Sequence, residues 1–270
     1  MKAQENLQDQ TQKPKNFSRK ISKTIRCDYL ISLPNSYEAK SKTGSPLILF
    51  LHGAGERGTN LWKATTHGPS KYIVNHPGLP FILVTPLCPS DKTWSNDVLL
   101  ALLDEVTSKF TVDETRIYLT GLSMGGYTTW SLGLRHPEKF AAIAPICGGD
   151  TGAIILAQHG YGVPEHKAAL KSLPVWAFHG AKDPVVPLGE SEHLVNALKG
   201  FGIKEIKFTV YPDAQHDSWT QTYNNPALYE WFLQHERKLS SAKKNNGKRS
   251  FRRDAENHTP EACAPHLRSL

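Results

Sequence analysis

No apolar run in the 270 residues approaches the roughly 20 needed to cross a bilayer as a helix. The opening stretch, MKAQENLQDQTQKPKNFSRK, holds no apolar core of the kind a secretory signal requires, so the chain reads as soluble and cytoplasmic. Cysteine is scarce. Cys27, Cys88, Cys147 and Cys263 are scattered with no CxxC pair, which excludes the paired-cysteine zinc modules and leaves buried thiols as the expectation. Twelve histidines are present but no HExxH, and the spacing of His159 and His166 does not make a ligand pair. No metal and no other cofactor is expected. The sequence contains no internal repeat.

What is abundant is basic charge, and its place matters more than its size. The net charge is +7. Residues 1–24 carry +4 and residues 237–270 carry +6, which leaves −3 for the body. The body therefore offers no electrostatic footprint for phosphates. The run Lys243–Arg253 could touch a polyanion, but so short a basic stretch with little hydrophobicity reads as a solvated tail. Nucleic acid is thus not an expected partner except through a tail, and no membrane is expected. The domain reading is a disordered basic tail over 1–24, a folded domain over 25–237, and a second disordered basic tail over 238–270. The oligomeric state is not legible.

Between the tails, short continuous apolar runs alternate with amphipathic stretches. Cys27–Leu33, Leu47–Leu51, Phe81–Thr85, Arg116–Thr120, Ala141–Pro145 and Val175–Phe178 read as strands, most of them buried on both faces. Ile206–Tyr211 alternates more and suits an edge. Asp97–Phe110 has an apolar stripe with Ser95 or Asn96 as its cap. Met124–Arg135 reads as a helix that stops before His136-Pro137. Gly189–Leu198 reads as a helix capped at Gly200, and Ala227–His235 closes the body. This order predicts an α/β domain with a mostly parallel sheet covered by helices on both faces. Segments 52–80 and 148–173 read as the longer connections, where substrate-facing structure is built.

Gly121-Leu122-Ser123-Met124-Gly125 fits G-x-S-x-G. The motif alone is common by chance. Here it follows an apolar run and precedes a helical stretch, the strand–turn–helix that holds a serine at a sharp elbow. A serine hydroxyl needs a base to become a nucleophile. Asp183, after the strand Val175–Phe178, is placed to orient an imidazole, and His216, after Ile206–Tyr211, is placed to be that imidazole. His179 and His52 also end strands. His179 precedes Asp183, out of order for the base, and His52 reads as a hydrogen-bonded brace of its loop. An oxyanion needs two backbone N–H donors. Met124 supplies one, and the loop His52–Gly58 supplies the other through Ala54, with Gly53 as the near alternative. Glu56 and Arg57 are open between lining the site's rim and pairing with each other. Trp94, Trp219 and Tyr127 are candidate substrate walls, with ordinary packing as the competing reading.

Together HGAGERG, GLSMGG, HGAKDPVVP and DAQHDSW resemble the α/β-hydrolase superfamily, over about residues 25–237. Within it they are most similar to small serine esterases without a lid domain. That branch includes acetylxylan- and feruloyl-esterase-like proteins, polyhydroxybutyrate-depolymerase-like proteins, phospholipase/carboxylesterase-type enzymes and a group of peptidase-like proteins. The resemblance implies an α/β-hydrolase fold without a large lid. It implies Ser123 as nucleophile, Asp183 as acid, His216 as base, and Ala54 and Met124 at the oxyanion. It also implies hydrolysis of a small-molecule or carbohydrate ester through an acyl-enzyme. A serine nucleophile departs from the dienelactone hydrolases that use cysteine, and the absence of a propeller departs from the prolyl-oligopeptidase relatives. A peptidase or amidase with the same three residues, and a non-catalytic binding protein on this fold, are the alternative readings.

Overall fold

In the computed structural model, which describes residues 15–150, 152 and 164–238, β2 (Ser45–Leu51) is buried at every position. Its side chains alternate between two cores. Leu47, Leu49 and Leu51 enter one apolar cluster, while Ile48 and Phe50 enter the other. A strand's side chains alternate faces, so an unbroken apolar run is what a strand covered on both sides requires.

Six more strands join it. They are β1 (Tyr29–Ser32), β3 (Ile82–Pro86), β4 (Val112–Leu122), β5 (Ala142–Ile146), β6 (Val175–Gly180) and β7 (Ile206–Tyr211). The sheet order is β1-β3-β2-β4-β5-β6-β7. β1 pairs antiparallel with β3, and every other pairing is parallel. β7 lies at one edge, as its alternating sequence predicts. This is the α/β-hydrolase fold.

Helices cover both faces. α2 (Asn96–Lys109), α3 (Met124–Arg135) and α5 (Leu188–Phe201) bury Leu99, Leu103, Trp130, Leu194 and Leu198 on one side. α1 (Gly68–Asn75), α6 (Trp219–Tyr223) and α7 (Pro226–Leu233) bury Tyr72, Tyr223, Trp231 and Phe232 on the other. α4 (Pro164–Ser172) precedes β6. No described helix is long and apolar enough to cross a membrane.

Several boundaries differ from the sequence expectation. β4 begins at Val112 rather than Arg116, because its first residues are polar and half-buried and only the deep end is an apolar run. α5 runs through Gly200 and ends at Gly202, whose φ of +89° suits glycine. The segment 52–80, expected as a longer connection, holds α1 and two 3₁₀ turns, Ala54–Glu56 and Leu61–Thr65. Of the connection 148–173, residues 151 and 153–163 lie outside the described residues, as do 1–14 and 239–270 of the expected tails. Arg237, counted above with the tail's charge, is docked on the body. Its Nε donates to the Glu114 carbonyl at 2.8 Å, and its backbone N–H donates to the Thr115 carbonyl at 2.9 Å.

Candidate active site

Ser123 stands between the end of β4 and the start of α3 with φ 51° and ψ −116°. A non-glycine residue at positive φ is strained, and the surroundings must hold it there. They do so by close backbone approach. A Cβ on Gly121 would lie 2.6 Å from the Gly125 carbonyl oxygen, and one on Gly125 or Gly126 would collide with the Leu51 or Ile146 carbonyl. The Ser123 N–H donates to the Ile146 carbonyl at 3.0 Å, which ties the elbow to β5.

The side chains of Ser123, His216 and Asp183 form one line of contacts. His216 Nε2 lies 3.0 Å from Ser123 Oγ, and His216 Nδ1 lies 2.8 Å from Asp183 Oδ2. The other Asp183 oxygen accepts the N–H groups of Val185 at 2.8 Å and Val186 at 2.9 Å. Burial disfavours the charged carboxylate, but the bond to His216 and the two N–H groups outweigh it, so Asp183 is held below the ordinary carboxylate range. These residues come to one place because β4, β6 and β7 all deliver their carboxyl ends to the same edge of a parallel sheet.

His179 lies behind this line. It is fully buried, with Nε2 2.9 Å from the Val186 carbonyl and 3.3 Å from Asp183 Oδ2, and Nδ1 2.8 Å from Ser191 Oγ. It contacts the same carboxylate oxygen that His216 holds. His52 is also fully buried and braces its loop. Nδ1 lies 2.7 Å from the Gly53 carbonyl, and Nε2 accepts the Cys88 N–H at 3.1 Å.

Ala54 and Met124 each open a helical turn, so neither N–H is used by the turn's own ladder. The alternative donor, Gly53, is engaged elsewhere. Its N–H donates to Glu56 Oε2 at 2.9 Å. A Cβ on Gly53 would lie 3.6 Å from the Ser123 Cβ, which measures how closely this loop approaches the serine. Glu56 and Arg57 do not pair with each other. Glu56 faces His67 Nε2 at 3.7 Å and His52 Nδ1 at 3.9 Å, and Arg57 staples the loop through the Ala54 carbonyl at 3.0 Å and the Lys92 carbonyl at 3.1 Å.

An open cleft of about 480 Å³ lies against Ser123 and Met124. Trp94, Tyr127, Thr93, Asn96, Thr128 and Ser131 line it, and Asp150, facing Arg135 at 3.5 Å, closes one side. Trp94 also donates from Nε1 to the His52 carbonyl at 3.1 Å, so its ring is fixed. Trp219 is placed differently. It does not line this cleft but stands perpendicular to the His216 ring at 5.2 Å and against His67 at 5.5 Å.

One residue near the line of contacts had no signal in the sequence motifs. Cys147, directly after β5, is fully buried, has φ 41°, and offers a sulfur that, with ligand atoms of Asp183 and His216, lies within 4.8 Å of its neighbours. Only its position at a strand's carboxyl end, shared with Ser123, Asp183 and His216, could have pointed to it.

A parallel sheet of this order, with a serine elbow after β4 and acidic and imidazole side chains after β6 and β7, is the α/β-hydrolase fold, and the chain resembles the esterases built on it. A model of the phospholipase/carboxylesterase family matches residues 93–226. A bifunctional acetylxylan esterase/xylanase from Neocallimastix patriciarum is 26% identical over 198 residues, covering 69% of this chain and 26% of that protein. A probable feruloyl esterase C from Aspergillus niger is 23% identical over 201 residues, covering 72% of this chain and 69% of the relative. Among solved structures, a thermostable esterase aligns with a TM-score of 0.59 and 33% identity, covering 77% of this chain and 59% of that one. The chain thus spans about a quarter of the bifunctional relative and somewhat over half of the thermostable esterase.

Proposed function

We propose that the chain is a serine carboxylic ester hydrolase working through an acyl-enzyme. The observation that carries this reading is the unbroken contact from Asp183 through His216 to Ser123, ending on a serine held at positive φ. Ser123 Oγ attacks the ester carbonyl while His216 Nε2 takes its proton. Asp183 holds the Nδ1 proton of His216 and stabilises the imidazolium as it forms. The N–H groups of Ala54 and Met124 receive the developing oxyanion. The alcohol leaves with the proton from His216, and water then attacks the acyl-Ser123 ester by the same route in reverse.

The cleft supports a compact substrate. The rings of Trp94 and Tyr127 offer faces to an aromatic or sugar ring, and the short polar chains of Thr93, Asn96, Thr128 and Ser131 suit hydroxyl groups. The names of the esterase relatives, acetylxylan and feruloyl, agree with a small-molecule or carbohydrate ester.

The test pairs a fluorophosphonate probe and peptide mapping with hydrolysis of nitrophenyl acetate, butyrate and octanoate. Labelling falls on Ser123, acetate is preferred to octanoate, and Ser123→Ala lowers kcat by on the order of 10⁴–10⁶-fold. Wild-type turnover in Ser123→Ala, or a label elsewhere, overturns the assignment. Faster cleavage of matched nitroanilides than of nitrophenyl esters turns the reading to a peptidase.

A further inference from the structure

β5, β6 and β7 are neighbours in the sheet, and each delivers one metal-binding side chain to the same place: Cys147, Asp183 and His216. We infer that these three residues form a site for a borderline-soft divalent cation of the zinc class, whose binding switches the hydrolytic site off. The switching half of this inference rests on the proposed function; the site itself does not.

The donor set is one thiol, one imidazole and one carboxylate, which suits zinc and does not suit the all-oxygen preferences of calcium or magnesium. The ligand atoms lie within 4.8 Å of one another. A tetrahedral zinc, with bonds of about 2.0–2.3 Å, spaces its ligand atoms by roughly 3.3–3.6 Å, so closure needs about an ångström of movement. His216 can supply it, because it sits on the loop between β7 and α6 and its side chain is 20% exposed. Cys147 is fixed. Its N–H donates to the Phe178 carbonyl at 2.9 Å, and no part of its side chain reaches solvent.

A second, independent feature points into the same site. The Ser218 hydroxyl is fully buried and is directed at the Cys147 sulfur, with no oxygen or nitrogen partner. A thiol is a weak acceptor, so this buried hydroxyl is poorly satisfied. A thiolate at Cys147 gives that hydroxyl an anionic acceptor, and a bound cation is what makes the thiolate stable. Binding replaces the thiol proton with the cation and releases that proton to solvent.

The consequence for His216 follows from geometry. Asp183 Oδ2 and His216 Nδ1 are 2.8 Å apart, in direct hydrogen bond. A cation bound to both residues replaces that bond and redirects the imidazole. His216 then no longer accepts the proton of Ser123.

The test uses the full chain, freed of metal with a chelator. Zinc is titrated against nitrophenyl acetate hydrolysis in wild type and Cys147→Ala. Wild type is inhibited and EDTA restores it. Cys147→Ala keeps its basal activity and needs a zinc concentration higher by at least the ~10–100-fold that loss of an outer-shell partner costs. Ligation is read separately, in the Ser123→Ala background, from the ultraviolet thiolate-to-cadmium band on cadmium titration. The band disappears when Cys147→Ala is added, and weakens with His216→Gln, which also serves should Cys147→Ala fail to fold. A cadmium band indifferent to both changes overturns the site. A Cys147-dependent band with no zinc inhibition of an active enzyme overturns the switch. Failure to hydrolyse any ester defeats the proposed function, while the cadmium band still decides the site.

Discussion

The Glu56 carboxylate accepts the Gly53 N–H at 2.9 Å and lies close to two imidazoles, His52 and His67. It thereby fixes the short turn whose first N–H, that of Ala54, is aimed at the developing oxyanion in the proposed mechanism. Outright loss of one oxyanion donor costs on the order of 10²–10³ in kcat, and a loosened donor costs less. Glu56→Ala is expected to lower kcat by ~10–100-fold while leaving KM within about twofold, because the interaction matters in the transition state and not in substrate binding. Glu56→Gln keeps an oxygen that accepts from Gly53 and restores most of that loss. Steady-state kinetics on a nitrophenyl ester check both. Equal activity in all three proteins would remove Glu56 from any positioning role. The sequence held this contact only latently. Glu56 and Arg57 are adjacent opposite charges and invite pairing, but the 3₁₀ turn sends Glu56 back to Gly53 and Arg57 across to the Lys92 carbonyl.

Among the elements, the deep strands were the most legible. Leu47–Leu51 and Val175–Phe178 are apolar throughout because helices cover both faces, and Met124–Arg135 is bounded by a tight turn and a proline. Short α1 and α6 were not legible, since eight and five residues of helix carry too little periodicity to register against Gly68-Pro69 or the flanking polar residues. The end of α5 shows how a local signal misleads. Gly200 and Gly202 are both plausible caps from composition, but only Gly202 has positive φ, and its N–H reaches the Leu198 and Lys199 carbonyls. The two glycines should therefore respond oppositely to alanine. Gly202→Ala forces a Cβ into left-handed backbone and is expected to cost about 1 kcal/mol. At Gly200, a helical position, a Cβ meets nothing within 4 Å. Gly200→Ala is expected to stabilise by ~0.5–1 kcal/mol. Urea unfolding midpoints decide the matter, and a stabilising Gly202→Ala would mean the helix ends elsewhere. Cys147 marks the opposite limit of legibility: 147, 183 and 216 are far apart in the chain and meet only when three adjacent strands are in register.

At the scale of the whole molecule, His52 joins two loops at the sheet's carboxyl edge, its own and the connection that holds Cys88 and Trp94. It holds the Gly53 carbonyl and the Cys88 N–H through its ring, and the Trp94 indole through its own carbonyl. Nε2 accepts the Cys88 N–H, so the folded state needs the ring neutral, with its hydrogen on Nδ1. Burial lowers the pKa of His52 below its ordinary 6.5, and the opposing influence of the Gly53 carbonyl and of Glu56 does not overcome it. The unfolded chain then binds a proton at His52 that the folded chain refuses. In the window from about 6.5 down to the depressed folded value, the unfolded state holds more protons, so stability rises with pH and falls on acidification. The contribution is full above the unfolded pKa and is lost as pH drops through that window. His52→Gln removes the titration while leaving an amide able to meet the same neighbours. Its stability at about pH 7 is expected to lie below wild type, and its loss of stability between about pH 7 and pH 5 is expected to be smaller. Denaturant midpoints for both proteins across that range make the comparison, and parallel curves would show that His52 is not the group responsible. Acid loss through His52 is loss of folded protein and appears in circular dichroism.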